Sequence, residues 1–221
     1  MLHSALRHAT RARLIGGTGL LGLSMTLARR SRMAAASQDD TALGELWGTA
    51  FDGMVRVPGA EGVAAPNSVL YMAPTTAAAA DARRWPPPFE NGAVFSLTAY
   101  NPMGRDAPEA QNVAANRRLH AELGDLSPAP AARWHSFGFN AKEGWREDGF
   151  SVAFAAADAE RGRAAVLALA RKYEQAAIYE YGVRDGRLYR TVVWCDGRPN
   201  DAPEAMEVVP PPETPLARPH A

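Results

Sequence analysis

The sequence predicts an α+β fold whose central segment runs in the β-α-β-β-α-β order of a ferredoxin-like split sheet. Three observations carry that prediction. Phe95, Leu97 and Ala99 alternate with Ser96 and Thr98, the pattern of a half-buried strand over residues 93–100. Two segments place apolar residues at helical spacing: Leu119 and Leu123 with Asn112 and Asn116 over 107–124, and Val166, Leu169, Ala170 and Tyr173 over 159–174. Strand-like runs at 133–139, 150–154 and 176–181 fill the remaining places in the order.

Taken from the N-terminus, residues 1–38 carry six arginines and no acidic residue, the make-up of an organelle transit peptide. Mitochondrial import is the first expectation. The apolar run 14–27 behind a basic flank, followed by Arg29, Arg30 and Arg32, keeps a bipartite plastid leader as the alternative. That run, at about 14 residues and broken by four glycines, is too short to cross a bilayer, so no membrane span is expected. A leader that stays disordered, or initiation at Met33, would produce the same composition.

One domain is expected over 39–198. It opens with a helix at 42–51, with Leu43, Leu46, Trp47 and Phe51 on one side, then a hairpin of strands at 54–57 and 69–72. An Ala-rich stretch from Thr75 ends at Pro86-Pro87-Pro88. After strand 93–100, Pro102 stops the ladder, Asp106 is the expected N-cap of the first central helix, and Gly124 its end. Arg184-Asp185-Gly186 should turn the chain between strands 176–181 and 188–194. Seven prolines in the last 23 positions make 199–221 a Pro-rich disordered tail. With both helices on one sheet face, the other face is left for the N-terminal elements, for solvent-compatible residues, or for a second copy of the chain in a homodimer.

Charge and cysteine count exclude several roles. Residues 39–221 hold 18 basic against 24 acidic residues, which argues against nucleic acid as a partner. Cys195 is the only cysteine, so no intramolecular disulfide exists, and as the end of a Val-Val-Trp strand without a neighbouring base it reads as a structural thiol. His120 and His135 lack further ligands at metal spacing, and the glycines of 53–62 lack phosphate-loop spacing, so no metal and no cofactor is expected.

Four patches resemble an uncharacterised, mostly bacterial domain family of unknown function, DUF3293. These are Thr98-Ala99-Tyr100-Asn101-Pro102; Asn112 with Leu119, Glu122 and Leu123; Trp145, Glu147, Phe150 and Val152; and Tyr173-Glu174-Gln175 running to Ile178-Tyr179. Gln111, Gly149 and Ala176 stand where the family pattern has an acidic residue, Ser and Asn. The resemblance brings no activity with it.

The candidate site follows from polar residues on faces that must be buried. Tyr100, Asn101, Asn112, Asn116, Trp145 and Gln175 are the expected binding residues for a small polar ligand, with Arg105 as an anion contact at the start of a helix, where the dipole helps. The competing expectation is that the amides cap turns and helix ends. Glu147, beside Trp145, is the one candidate acid/base group. Two functions remain: an organelle-targeted small-ligand- or protein-binding module without chemistry of its own, and a small hydrolase or isomerase working through Glu147. The lack of a nucleophile–base pair in the sequence pattern favours the first.

Overall fold

The computed structural model describes residues 49–64, 68–80, 82–140 and 145–212. The leader, residues 42–48 of the expected helix 42–51, and the final nine residues lie outside them, and Phe51, expected on that helix, opens a strand instead. Eight strands are present among the described residues: β1 (Phe51–Val55), β2 (Val69–Thr75), β3 (Gly92–Leu97), β4 (Ala132–Asn140), β5 (Trp145–Ala155), β6 (Ala177–Arg184), β7 (Arg187–Trp194) and β8 (Glu204–Val208). A short helix α1 (Pro87–Glu90) precedes β3, α2 (Glu109–Gly124) follows it, and α3 (Ala159–Lys172) joins β5 to β6.

The fold class is a correction. All neighbouring strands are antiparallel and close into a barrel in the order β1-β2-β8-β7-β6-β3-β5-β4, with β4 returning to β1. The expected ferredoxin-like α+β sandwich requires an open sheet with two free edges; here β6 is continued by β7 and β4 by β1, and β2 and β8 bridge the gap. Closure removes the edges and turns one sheet face inward, where it packs on itself. That inward face is the one expected to lie uncovered, so the reason for a homodimer through it disappears.

Alternation along each strand sorts two cores. Inside the barrel, Met54, Leu70, Met72, Val94, Leu188 and Met206 pack with Trp85 and Phe89. Phe89, on α1, makes edge contacts with Trp85, Trp134 and Tyr181. Outside, Phe95, Phe150, Val152 and Phe154 meet Leu119 and Leu123 of α2 and Val166 and Leu169 of α3. Gly162 lets α3 sit this close, since a Cβ there would lie 2.5 Å from the Phe154 ring.

Local signals placed most elements well. The β6–β7 turn has Asp185 and Gly186 at φ 51° and 72°, the paired left-handed residues of a two-residue hairpin. Two local expectations are corrected. Pro108, not Asp106, stands at the N-cap of α2, without a side-chain cap. Residues 204–208, expected in a disordered tail, form β8, paired with β2 on one side and β7 on the other, with Ala205 and Met206 buried. No helix among the described residues is long and apolar enough to cross a membrane.

Candidate functional site

The chain leaves β3 through a sharp corner in which Asn101 adopts a left-handed conformation (φ 46°), tolerable for an asparagine. Side-chain amides hold that corner. The Asn101 backbone N–H donates to Asn112 Oδ1 and Asn112 Nδ2 donates back to Asn101 Oδ1, both at 3.0 Å. Asn101 Oδ1 also accepts from the Ala107 N–H at 3.2 Å. One turn further along α2, Asn116 accepts from the Ala99 N–H and donates to the Asp148 carbonyl, each at 3.2 Å. Gln175 Nε2 donates to the carbonyls of Tyr100 and Tyr173, both at 3.1 Å. The end of β3, the first two turns of α2, the start of β5 and the end of α3 are thereby tied together by side-chain amides bonded to backbone groups and to one another.

Replacing Asn112 should therefore act on stability. Asn112→Ala strands the Asn101 N–H in a part-buried corner and should cost about 1–3 kcal/mol. Urea denaturation reads this directly; a change within experimental scatter would show that the corner needs no amide clamp.

A separate feature is a cavity of about 90 Å³ at one end of the barrel, with Asp52, Ser136, Trp145, Glu147, Gln175 and Tyr179 among its walls. Of the residues singled out in the sequence, Trp145, Glu147 and Gln175 line it, while Tyr100, Asn101, Asn112, Asn116 and Arg105 are not among its lining. Asn101 reaches it indirectly, its Nδ2 donating to Glu147 Oε1 at 2.6 Å. The Tyr100 hydroxyl donates instead to Glu109 at 3.3 Å, and burial beside that carboxylate raises its pKa. Arg105 is exposed and faces Glu174 at 3.5 Å, away from the cavity.

Glu147 is a part-buried carboxylate. Burial pushes its pKa up, and the Asn101 hydrogen bond works against the rise. Beside it sits a group of charges the sequence reading missed. Arg190 is fully buried; Nη1 donates to Asp52 Oδ2 at 2.9 Å and to the Ala50 carbonyl at 2.8 Å, and Nη2 to Glu204 Oε2 at 2.9 Å. Its guanidinium lies 4.5 Å from the centre of the Tyr179 ring. Burial raises the Asp52 pKa while Arg190 pulls it back. Ser96 and Ser151, opposite each other on β3 and β5, share a 2.6 Å hydrogen bond inside the barrel. The available sequence signal was register: Arg190 alternates with apolar Leu188 and Val192, and Asp52 with Met54, so each charge stands on an inward position.

The remaining sequence candidates lie elsewhere. His120 stacks on Phe150, ring centres 4.8 Å apart, with His135 5.5 Å from it, and among the described residues no three His, Cys, Asp or Glu side chains are grouped to hold a metal. Burial pushes the Cys195 thiol up to about 11, away from the reactive thiolate range. A second, wider concavity of about 520 Å³ on the outer wall is bordered by Arg56, Arg133, His135 and Arg146.

Residues 97–178 match the model of a family described as a protein of unknown function (DUF3293). No curated protein matches the chain, and no solved structure matches it. The matched segment contains the whole amide clamp together with Trp145 and Glu147, whereas Asp52, Arg190 and Glu204 fall outside it.

Proposed function

Starting from membership of this chain in the DUF3293 family through residues 97–178, we propose that it is a binding module for a small polar molecule, taken into the cavity at the end of the barrel. The observation that carries the reading is Glu147. It lines the cavity, and the structure gives it one hydrogen-bond partner, the Asn101 amide on Oε1, so the carboxylate keeps acceptor capacity for a ligand. The amide clamp supports this role from behind, because Asn112 holds Asn101 in the position from which its Nδ2 reaches Glu147. Trp145, Phe137 and Ile178 supply apolar wall, the usual mixture for a small-molecule site.

The test is a ligand screen by thermal shift on the full chain, with Glu147→Gln as the comparison. A hit should raise the melting temperature of the wild type in a concentration-dependent way and lose most of that effect in Glu147→Gln. A screen without hits, or hits indifferent to residue 147, would remove the reading. The second reading, acid/base catalysis by Glu147, draws on the upward pKa shift that burial gives it. It requires turnover of a bound molecule that Glu147→Gln abolishes while binding survives.

We further propose import into an organelle, the mitochondrion before the plastid, from the arginine content of residues 1–38. A reporter fused to those residues should accumulate in the organelle; cytosolic reporter would overturn it.

A further inference from the structure

We propose that the wide concavity on the outer wall binds a small phosphomonoester with an apolar body, its phosphate held by Arg56 and Arg133 and its body laid against Val69, Tyr71 and Phe137. This site is separate from the cavity at the end of the barrel and does not depend on the function assigned to that cavity.

Charge is the first ground. Arg56, Arg133, His135 and Arg146 border the concavity, and no Asp or Glu does. That is the reverse of residues 39–221 as a whole, where 24 acidic residues outnumber 18 basic ones. Arg146 is already neutralised: its Nε and Nη2 donate to Asp148 Oδ1 at 2.8 and 2.6 Å, and its guanidinium lies 3.6 Å from the centre of the Phe137 ring. Arg56 and Arg133 are not. Both are exposed, and neither is ion-paired with a described residue. Arg133 makes one long hydrogen bond, from Nη1 to the His120 carbonyl at 3.4 Å, and the Arg56 guanidinium makes none among the described residues. His120 registers the local field, since burial and then the charges of Arg133 and His135 push its pKa down.

Two guanidinium charges thus border one concavity without a carboxylate to balance them. A phosphomonoester, with about −1.5 to −2 charge at pH 7, matches both, whereas a carboxylate matches one. The guanidinium fork also fits phosphate oxygens in pairs.

The backbone that presents Arg56 is the second ground. Asp52 and Met54 are buried on the inward face of β1, so strict alternation would send residue 56 inward as well. The chain breaks the alternation there. Arg56 has φ 54° and Ser68, across the hairpin, φ 60°, and the Arg56 N–H donates to the Ser68 carbonyl at 2.8 Å. Left-handed backbone is uphill for an arginine, and strain of this kind gathers at binding sites. With it, Arg56 is exposed and borders the outer concavity rather than entering the core.

Size and wall chemistry set the rest of the ligand. At about 520 Å³ the concavity falls within the ~300–1,000 Å³ of small-molecule sites. Val69, Tyr71 and Phe137 supply apolar wall, with the Tyr71 and Phe137 rings in edge contact at 6.2 Å between centres. Bare phosphate leaves that wall in water; a phosphate carried on a ring covers it.

The full-length chain is titrated calorimetrically with phenyl phosphate, and with benzoate, inorganic phosphate and sodium chloride for comparison. Saturable binding of phenyl phosphate, weakened by added salt, is expected. Its Kd should rise about tenfold in Arg56→Gln and in Arg133→Gln and stay unchanged in Arg184→Gln, an exposed arginine on β6 halfway round the barrel. Circular dichroism checks the fold of each variant, and if one does not fold the other decides. Benzoate binding as tightly as phenyl phosphate overturns the doubly charged head, and inorganic phosphate binding as tightly overturns the apolar body. An unchanged Kd in the folded Arg56 or Arg133 variant, an equal rise in Arg184→Gln, or no binding of phenyl phosphate overturns the site. Glu147→Gln should leave the phenyl phosphate Kd intact, so this proposal and the reading of the barrel-end cavity fail on different variants.

Discussion

Arg190→Ala should destabilise the protein by about 3–5 kcal/mol, because it leaves the Asp52 carboxylate buried without its guanidinium. The loss is large for three reasons that act together. Asp52 stays inside the barrel, where burial already raises its pKa, and without Arg190 the carboxyl must take up a proton or stay charged at high cost. The Ala50 carbonyl loses its donor. Tyr179 loses the cation against its ring, and a void the size of the guanidinium remains between β1, β6, β7 and β8. Guanidinium chloride denaturation of the wild type, Arg190→Ala and the double variant Arg190→Met/Asp52→Asn tests the account. The double variant should recover a substantial part of the loss, since both buried charges are then gone and the volume is refilled. If the double variant is as unstable as Arg190→Ala, cavity formation and not unpaired charge governs this site.

A chain ending at residue 203 should lose cooperative unfolding altogether. It lacks β8, so β2 and β7 face each other across an empty strand position and the barrel has two raw edges. Met206, 1% exposed inside the barrel, is removed, which by itself is worth about 2–5 kcal/mol. Glu204, the second carboxylate on Arg190, goes with it. Together these losses approach the roughly 5–15 kcal/mol by which a whole domain is stable. Circular dichroism melting of the truncated and full chains separates the outcomes. A truncated chain that melts in one sharp transition near the full-length temperature would mean that β8 is an ornament on a sheet stable without it.

Much of the local structure could be read from residue order because its causes are local. The helices announced themselves through buried-face residues three and four apart, the β6–β7 hairpin through Asp185-Gly186, and the strands through alternation. Helical spacing with Leu119 and Leu123 placed Asn112 and Asn116 on a buried face, where they are indeed found, and the sequence left their task open between lining a site and holding the chain. In the structure Asn112 and Asn116 hold the 98–101 corner, since their donors and acceptors meet backbone groups and Asn101. Glu147 and Gln175 sit at strand starts in the sequence pattern; that they border one cavity follows from the way β5 and β6 flank β3.

Barrel closure was hidden for a different reason. β1 meets β4 and β2 meets β8 across long stretches of chain, and such pairings leave no periodicity in either partner. β8 is only five residues long and stands among prolines that gave its segment the composition of a tail. Arg190 and Asp52 are 138 residues apart, and no residue near either one points to the other.

What the sequence determined by itself is therefore most of the elements between residues 93 and 194 and the faces they bury, because period and turn chemistry are properties of neighbouring residues. Which face became the inside of a barrel, which carboxylates came to share one arginine, and where a cavity was left were decided only in three dimensions. Those outcomes depend on strands far apart in the chain closing on one another, and burial then sets the energy of every charge enclosed.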